Sequence, residues 1–142
     1  MNPTVTQTEF PTLPMMRRGK VRDMYDLGDA YLMVATDRMS AFDVVLPDPI
    51  PGKGIVLTQI SLFWFERMRS VVGNHVITAD VSSYPEACQP YAETLADRSI
   101  LVKKARPLPV ECVVRGYITG SGWNPIINWF THTSVMTRWK YW

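Results

Sequence analysis

Apolar residues recur at spacings of three and four through residues 57–72, LTQISLFWFERMRSVV, where Leu57, Ile60, Trp64, Met68 and Val71 form one stripe. This period predicts an amphipathic helix with the stripe buried in a core, and Gly73-Asn74 is a suitable stop. Elsewhere the apolar runs are short. Residues 20–25 and 30–36 flank DLGD, and a glycine in so short a connection predicts a β-hairpin. HVITADV and SILVKKA read as further strands, separated by a loop or irregular helix, SSYPEACQPYAETLADR. Residues 37–56 carry three prolines and two glycines and read as a long loop with one short extended piece.

The last patterned stretch is VECVVRGYITGSGW, residues 110–123. As a strand it has two unlike faces, because side chains alternate. Cys112, Val114, Gly116 and Ile118 suit a core, whereas Glu111, Val113, Arg115, Tyr117 and Thr119 face the other way. Glu111 and Arg115 lie four residues apart, about 13 Å along a strand, too far to pair with each other. Each therefore wants its own partner. The resulting order is strand, strand, helix, strand, strand, connection, strand. It predicts an α+β fold in which an antiparallel sheet lobe carries one packed helix.

Composition narrows the class without naming a function. With 142 residues, 46% apolar and 20% charged, the chain reads as globular. A net charge of +2 argues against nucleic acid as a partner. Arg17, Arg18, Lys20 and Arg22 nevertheless cluster within six positions and suit a small anion. Cys88 and Cys112 lack metal-ligand spacing, and Cys112 reads as a small buried apolar residue. No secretory signal and no run of the length that spans a bilayer is visible, so a soluble cytoplasmic protein without membrane contact is expected.

Three segments carry candidate chemistry. In RRGKVRD, Gly19 allows close backbone approach, and Lys20 and Arg22 could cradle a triphosphate as point charge and guanidinium fork; the plain alternative is a solvated strand start. TDRMSAFDVVLPDPIPGKG concentrates Asp37, Arg38, Ser40, Asp43, Asp48 and Lys53, either as a polar site or as turn chemistry. The TGSG turn offers backbone N–H groups and the Ser121 hydroxyl to an oxyanion, with Arg115 on the strand before it. His75 and His132 are isolated, and no metal cluster is visible.

Together, RGKVRDMYDLGD, ATDRMSAFDVVLPDPIPGKG, LTQISLFWF and LPVECVVRGYITGSGW resemble the N-terminal part of phosphoribosylaminoimidazole-succinocarboxamide synthases, the SAICAR synthetase family. The most specific element is Pro-aliphatic-Glu-x-aliphatic-aliphatic-Arg-x-x-x-Thr-Gly-Ser, met from Pro109 to Ser121. The resemblance implies a SAICAR synthase-like lobe, similar to ATP-grasp and kinase small lobes, followed by a hinge and the start of a second lobe. It also implies a carbon–nitrogen ligase of purine synthesis. Such an enzyme uses ATP and Mg²⁺ to join aspartate to carboxyaminoimidazole ribonucleotide through an acyl phosphate, and positioning and charge stabilisation do most of the protein's work.

By position, Gly19, Lys20, Val21 and Arg22 resemble the loop that holds the ATP phosphates. Pro107 and Leu108 resemble the hinge that meets adenine, with Glu111 just beyond. Ser40, Asp43, Arg115 and Ser121 resemble substrate-holding residues. The implied organisation is an extended leader at 1–14, an ATP-binding lobe at 15–106, hinge and first strand at 107–123, and an atypical tail at 124–142. A second family signature, with an aspartate, a lysine and Glu-Phe-Gly, is absent, and metal ligands are expected in that part. The tail holds Trp129, Trp139 and Trp142 and departs from the family pattern. The expectation is a truncated chain with negligible ligase activity. A stand-alone ATP-binding or interaction module and a non-functional truncation product are the alternatives.

Overall fold

The structure is a computed structural model, described for residues 3–42, 44–106, 109–110, 116–117 and 123. Two compact units divide the chain, Met1–Ala105 and Arg106–Trp142, and the sheet with its packed helices lies in the first.

A five-stranded antiparallel sheet organises this unit. The strands are β1 (Met15–Arg18), β2 (Arg22–Asp26), β3 (Ala30–Ala35), β6 (Val76–Thr78) and β7 (Ser99–Lys103), in spatial order β1-β2-β3-β7-β6. A two-stranded hairpin, β4 (Ser40–Ala41) and β5 (Val44–Val45), stands apart from the sheet. Among the described residues of this unit the helices are α1 (Lys53–Arg67) and the single turn α2 (Ala92–Leu95), which follows 3-10 turns at Val81–Ser83 and Glu86–Tyr91. This is the expected α+β class, with an antiparallel sheet and, among the described residues, one substantial helix.

The DLGD connection forms as its residues dictate. Gly28 takes φ 86°, the left-handed region open to glycine. Its N–H donates to Asp26 Oδ1 at 2.9 Å, closing an Asx turn. Register pairs Tyr25 with Leu32 and Arg22 with Ala35, so strand alternation sorts the sheet into two faces. Tyr25, Leu32, Val34 and Leu101 lie on one face, in the core with Phe10, Leu13, Tyr84, Cys88 and Leu95. The segment before β1 is seated on this core: Thr8, Phe10 and Leu13 are buried. Burial also pushes the Cys88 thiol pKa up.

Three sequence expectations need correction. The helix begins at Lys53 rather than Leu57, directly after Pro51 and the left-handed Gly52 (φ 76°), and ends at Arg67. The expected core stripe is on the outside: Ile60 is 50%, Trp64 53% and Val71 71% exposed, and Leu57 and Met68 are exposed too. What α1 buries is Gly54 and Thr58, because small residues let its axis approach β3. At Gly54 an added Cβ would lie 2.4 Å from the Ala35 carbonyl oxygen. Finally, β2 starts at Arg22, so Lys20 belongs to a turn and not to a strand.

Candidate functional site

The turn between β1 and β2 is tight. Arg18 pairs with Asp23, and the Gly19 N–H donates to the Arg22 carbonyl at 2.7 Å, leaving Lys20 and Val21 at the tip. A Cβ at Gly19 would meet the Arg22 oxygen at 3.2 Å, closer than most side chains tolerate. Lys20 and Arg22 have exposed side chains. Arg18, by contrast, is drawn inward: its guanidinium donates to the Thr8 carbonyl at 2.8 Å, and its Nε lies 3.4 Å from Asp23 Oδ1.

Behind the turn sits the buried guanidinium of Arg38. It donates through Nε to the Lys20 carbonyl (3.0 Å) and through one terminal nitrogen to both the Gly19 carbonyl (2.8 Å) and Asp23 Oδ1 (2.8 Å). The other terminal nitrogen reaches the Thr6 carbonyl. Asp23 is fully buried, and its second oxygen accepts from the Thr8 N–H and hydroxyl, each at 2.9 Å. Burial pushes the Asp23 carboxyl up, but the Arg38 and Thr8 donors outweigh it and hold its pKa below the ordinary value.

Next to it in sequence, Asp37 does comparable work. It is buried and accepts from the Val5 N–H (2.9 Å), the Gly54 N–H at the start of α1 (2.9 Å) and Arg98 (3.2 Å). Burial raises its pKa; these donors more than reverse the shift. For Asp37 and Arg38, the loop TDRMSAFD is thus a crosslink between leader, turn, sheet and helix. Lys53 Nζ donates to the Arg38 carbonyl at 3.0 Å and joins the same array. Neither ion pair is visible in the sequence, nor is the role of Arg98, since separations of 15 and 61 residues leave no local pattern. The one available hint is a TDR triplet at the end of an apolar strand.

On the face of the sheet opposite the core, Arg22, Met33, Ala35 and Ile100 line a cavity with Val21 and Lys53. Leu57, Thr58, Ser61 and Phe65 of α1 close its other side with His75 and Arg98, so it is a cleft between sheet and helix bordered by three cationic side chains, Arg22, Lys53 and Arg98. Its volume of about 100 Å³ is too small to enclose a nucleotide, since such pockets run to roughly 300 Å³ or more.

Gly19, Lys20, Val21 and Arg22 come together at the turn, and the Thr36 N–H donates to the Val21 carbonyl at 3.0 Å. Ser40 lies four residues beyond Thr36, half-buried on β4. Asp43, Pro107, Leu108, Glu111, Arg115 and Ser121 fall outside the described residues, as does Cys112. Among the described residues, no group of three His, Cys, Asp or Glu side chains could hold a metal ion. None of their helices is long and apolar enough to cross a membrane.

Comparison with known proteins shows the family of the chain. The family model for SAICAR synthetase matches residues 15–139. Phosphoribosylaminoimidazole-succinocarboxamide synthase of Desulfosudis oleivorans is 66% identical over 123 residues, covering 87% of this chain and 42% of that protein. The namesake from Desulfatibacillum aliphaticivorans is 68% identical over 124 residues, with the same coverage. Among solved structures, a SAICAR synthase superposes with TM-score 0.79 at 42% identity, over 87% of this chain and 45% of the other. A SAICAR synthase from Saccharomyces cerevisiae complexed with SAICAR gives 0.78 at 42%, over 88% and 45%. The chain spans about two-fifths of the length of the curated relatives it matches. With the family model matching residues 15–139 and a solved SAICAR synthase superposing over 87% of the chain, the chain belongs to the SAICAR synthetase family.

Proposed function

We propose that this lobe holds the phosphates of ATP for a cytoplasmic purine-synthesis ligase that joins aspartate to carboxyaminoimidazole ribonucleotide. The observation that carries the reading is the Gly19–Arg22 turn. It is closed on itself, anchored from behind by Arg38, and carries Lys20 and Arg22 on its exposed side beside an apolar strip. A cationic edge next to a partly apolar cleft matches a nucleoside triphosphate better than it matches a simple anion.

In this reading Lys20 and Arg22 neutralise phosphate oxygens, and Val21, Met33, Ala35 and Ile100 shield the base. By their positions in the family pattern, Pro107, Leu108 and Glu111 are assigned to adenine, and Ser40, Asp43, Arg115 and Ser121 to the ribonucleotide. Bound ATP would supply the phosphoryl group that gives the ribonucleotide's carboxylate a leaving group. The lobe's own contribution is to orient the triphosphate and screen its charge. Mg²⁺ would accompany the nucleotide, with protein ligands drawn from outside the described residues.

Calorimetric titration of the 142-residue chain with Mg-ATP tests the reading. Losing one charge-assisted contact of about 1.5–3 kcal/mol means that Lys20→Ala weakens binding roughly 10- to 100-fold. Equal affinity in both proteins would overturn it. In a coupled assay with aspartate and the carboxylated ribonucleotide, this chain alone gives no measurable product; robust turnover would refute the proposal that the remaining length of the relatives is required.

A further inference from the structure

We propose that Arg38 is the positioning residue of the Gly19–Arg22 turn, fixing which way its peptide groups face; this rests on the reading of the turn as a phosphate holder. Arg38 is 8% exposed and sits behind the turn, so it cannot itself be the group that meets a ligand on the exposed side. Its guanidinium takes the carbonyl oxygens of two successive peptides, Gly19 and Lys20, at 2.8 and 3.0 Å.

Peptide planarity turns this into a statement about the other side. In a trans peptide the C=O and the N–H of the next residue point in opposite directions, and the described chain contains no cis bond. Drawing the Gly19 and Lys20 oxygens towards Arg38 therefore aims the Lys20 and Val21 N–H groups away from it. Two partial negative charges are turned inward, and two adjacent N–H dipoles face the side where Lys20 and Arg22 are exposed. Successive N–H groups of that kind attract phosphate oxygens.

The shape of the side chain matters as much as its charge. A guanidinium spreads its donors over a rigid plane, so one residue serves both carbonyls, the Thr6 carbonyl and Asp23 together. A lysine at position 38 keeps a positive charge opposite Asp23 but cannot span the two peptides. Asp23, in turn, holds the guanidinium in place and is itself fixed by Thr8.

The test is amide hydrogen exchange on the ligand-free chain, with Arg38→Lys compared against wild type and against Arg98→Lys. Arg98 is buried in an ion pair with Asp37, and the pair's hydrogen bonds run to the Val5, Gly54 and Ala35 N–H groups and not to the turn, so it controls for general loss of stability. In Arg38→Lys, exchange at the Gly19 amide, which donates to Arg22, speeds up at least tenfold more than at Leu32 and Val34 of β3. In Arg98→Lys the turn and β3 change together. Equal effects of the two variants on Gly19 would overturn the proposal. Should Arg38→Lys fail to fold, Arg38→Gln with Asp23→Asn removes both charges of the pair, and the same selective loss at Gly19 is expected. Mg-ATP titration then separates the two ideas. Arg38→Lys binds at least tenfold more weakly in step with lost Gly19 protection, and unchanged affinity would refute the positioning role. Unchanged affinity in Lys20→Ala would refute the phosphate reading instead.

Discussion

Replacing Gly54 by alanine sets two effects of opposite sign against each other. Gly54 is the second residue of α1, and helix propensity alone favours alanine over glycine by about 1 kcal/mol, less in a first turn. The packing says the reverse. The new Cβ would lie 2.4 Å from the Ala35 oxygen, 2.9 Å from its carbonyl carbon and 3.2 Å from the Thr36 carbonyl carbon. All three atoms are backbone in or next to β3, so no side-chain rotation relieves the clash. Restoring ordinary contact moves the helix by roughly 1 Å, which stretches the 2.9 Å bond from the Gly54 N–H to Asp37 beyond hydrogen-bonding range. Overpacking costs about 1–3 kcal/mol and loss of a hydrogen bond to a charged group about 1.5–3 kcal/mol. After the propensity gain, a net loss of about 1.5–5 kcal/mol remains. Urea denaturation of wild type and Gly54→Ala, with a shared m-value, reads it directly. A variant as stable as wild type, or more so, would refute the claim that α1 sits on β3 through its glycine.

Further outcomes stem from the same contacts. Asp37→Asn leaves Arg98 buried without its counter-charge and should cost about 3–5 kcal/mol in the same urea assay; a loss under about 1 kcal/mol would mean that the pair is open to water. Asp23 and Asp37 both have lowered pKa values, so their contribution is fully present above the ordinary carboxylate value and is lost as pH falls through the lowered folded values. Stability should accordingly hold down to about pH 4 and then fall steeply, less so in Asp37→Asn; thermal melts from neutral to strongly acidic pH would expose a flat profile if this is wrong. Trp64→Ser should change stability by no more than about 0.5 kcal/mol because the indole is half exposed on α1; a loss of several kcal/mol would restore the helix stripe to the core. In a Cys112→Ser chain, Cys88, fully buried with a raised thiol pKa, should react with a thiol reagent only on unfolding; rapid modification of that native chain at a rate unaffected by mild denaturant would contradict its burial.

What can be read from the residues is local chemistry. The β2–β3 hairpin follows from one glycine between two apolar runs, and Gly28 does carry the positive φ that such a turn demands. The irregular stretch before β7 is legible in its Pro and Ser content and forms two 3-10 turns and a single α turn. The orientation of α1 is not legible. Ile55, Val56, Leu57, Ile60, Leu62, Phe63, Trp64 and Phe65 surround the helix so completely that periodicity cannot say which side meets the sheet. A small residue against β3 decides it. Strand β1 leaves no trace in the pattern because all four of its residues are exposed, giving no alternation to detect. For the candidate site, Gly19, Lys20 and Arg22 are visible as a basic cluster around a glycine. Their support is not: Arg38 and Asp23 are 15 residues apart, and a pairing of that kind exists only once β2 and β3 are side by side.

The central claim is that a triphosphate seats on the Gly19–Arg22 turn. An ¹⁵N NMR titration of the chain with Mg-ATP, run beside one with adenosine, addresses it most directly. Saturable shifts at the Lys20, Val21 and Arg22 amides with Mg-ATP, small or absent with adenosine, are the predicted result. Saturable shifts confined to other parts of the lobe, with those three amides unmoved, would contradict it.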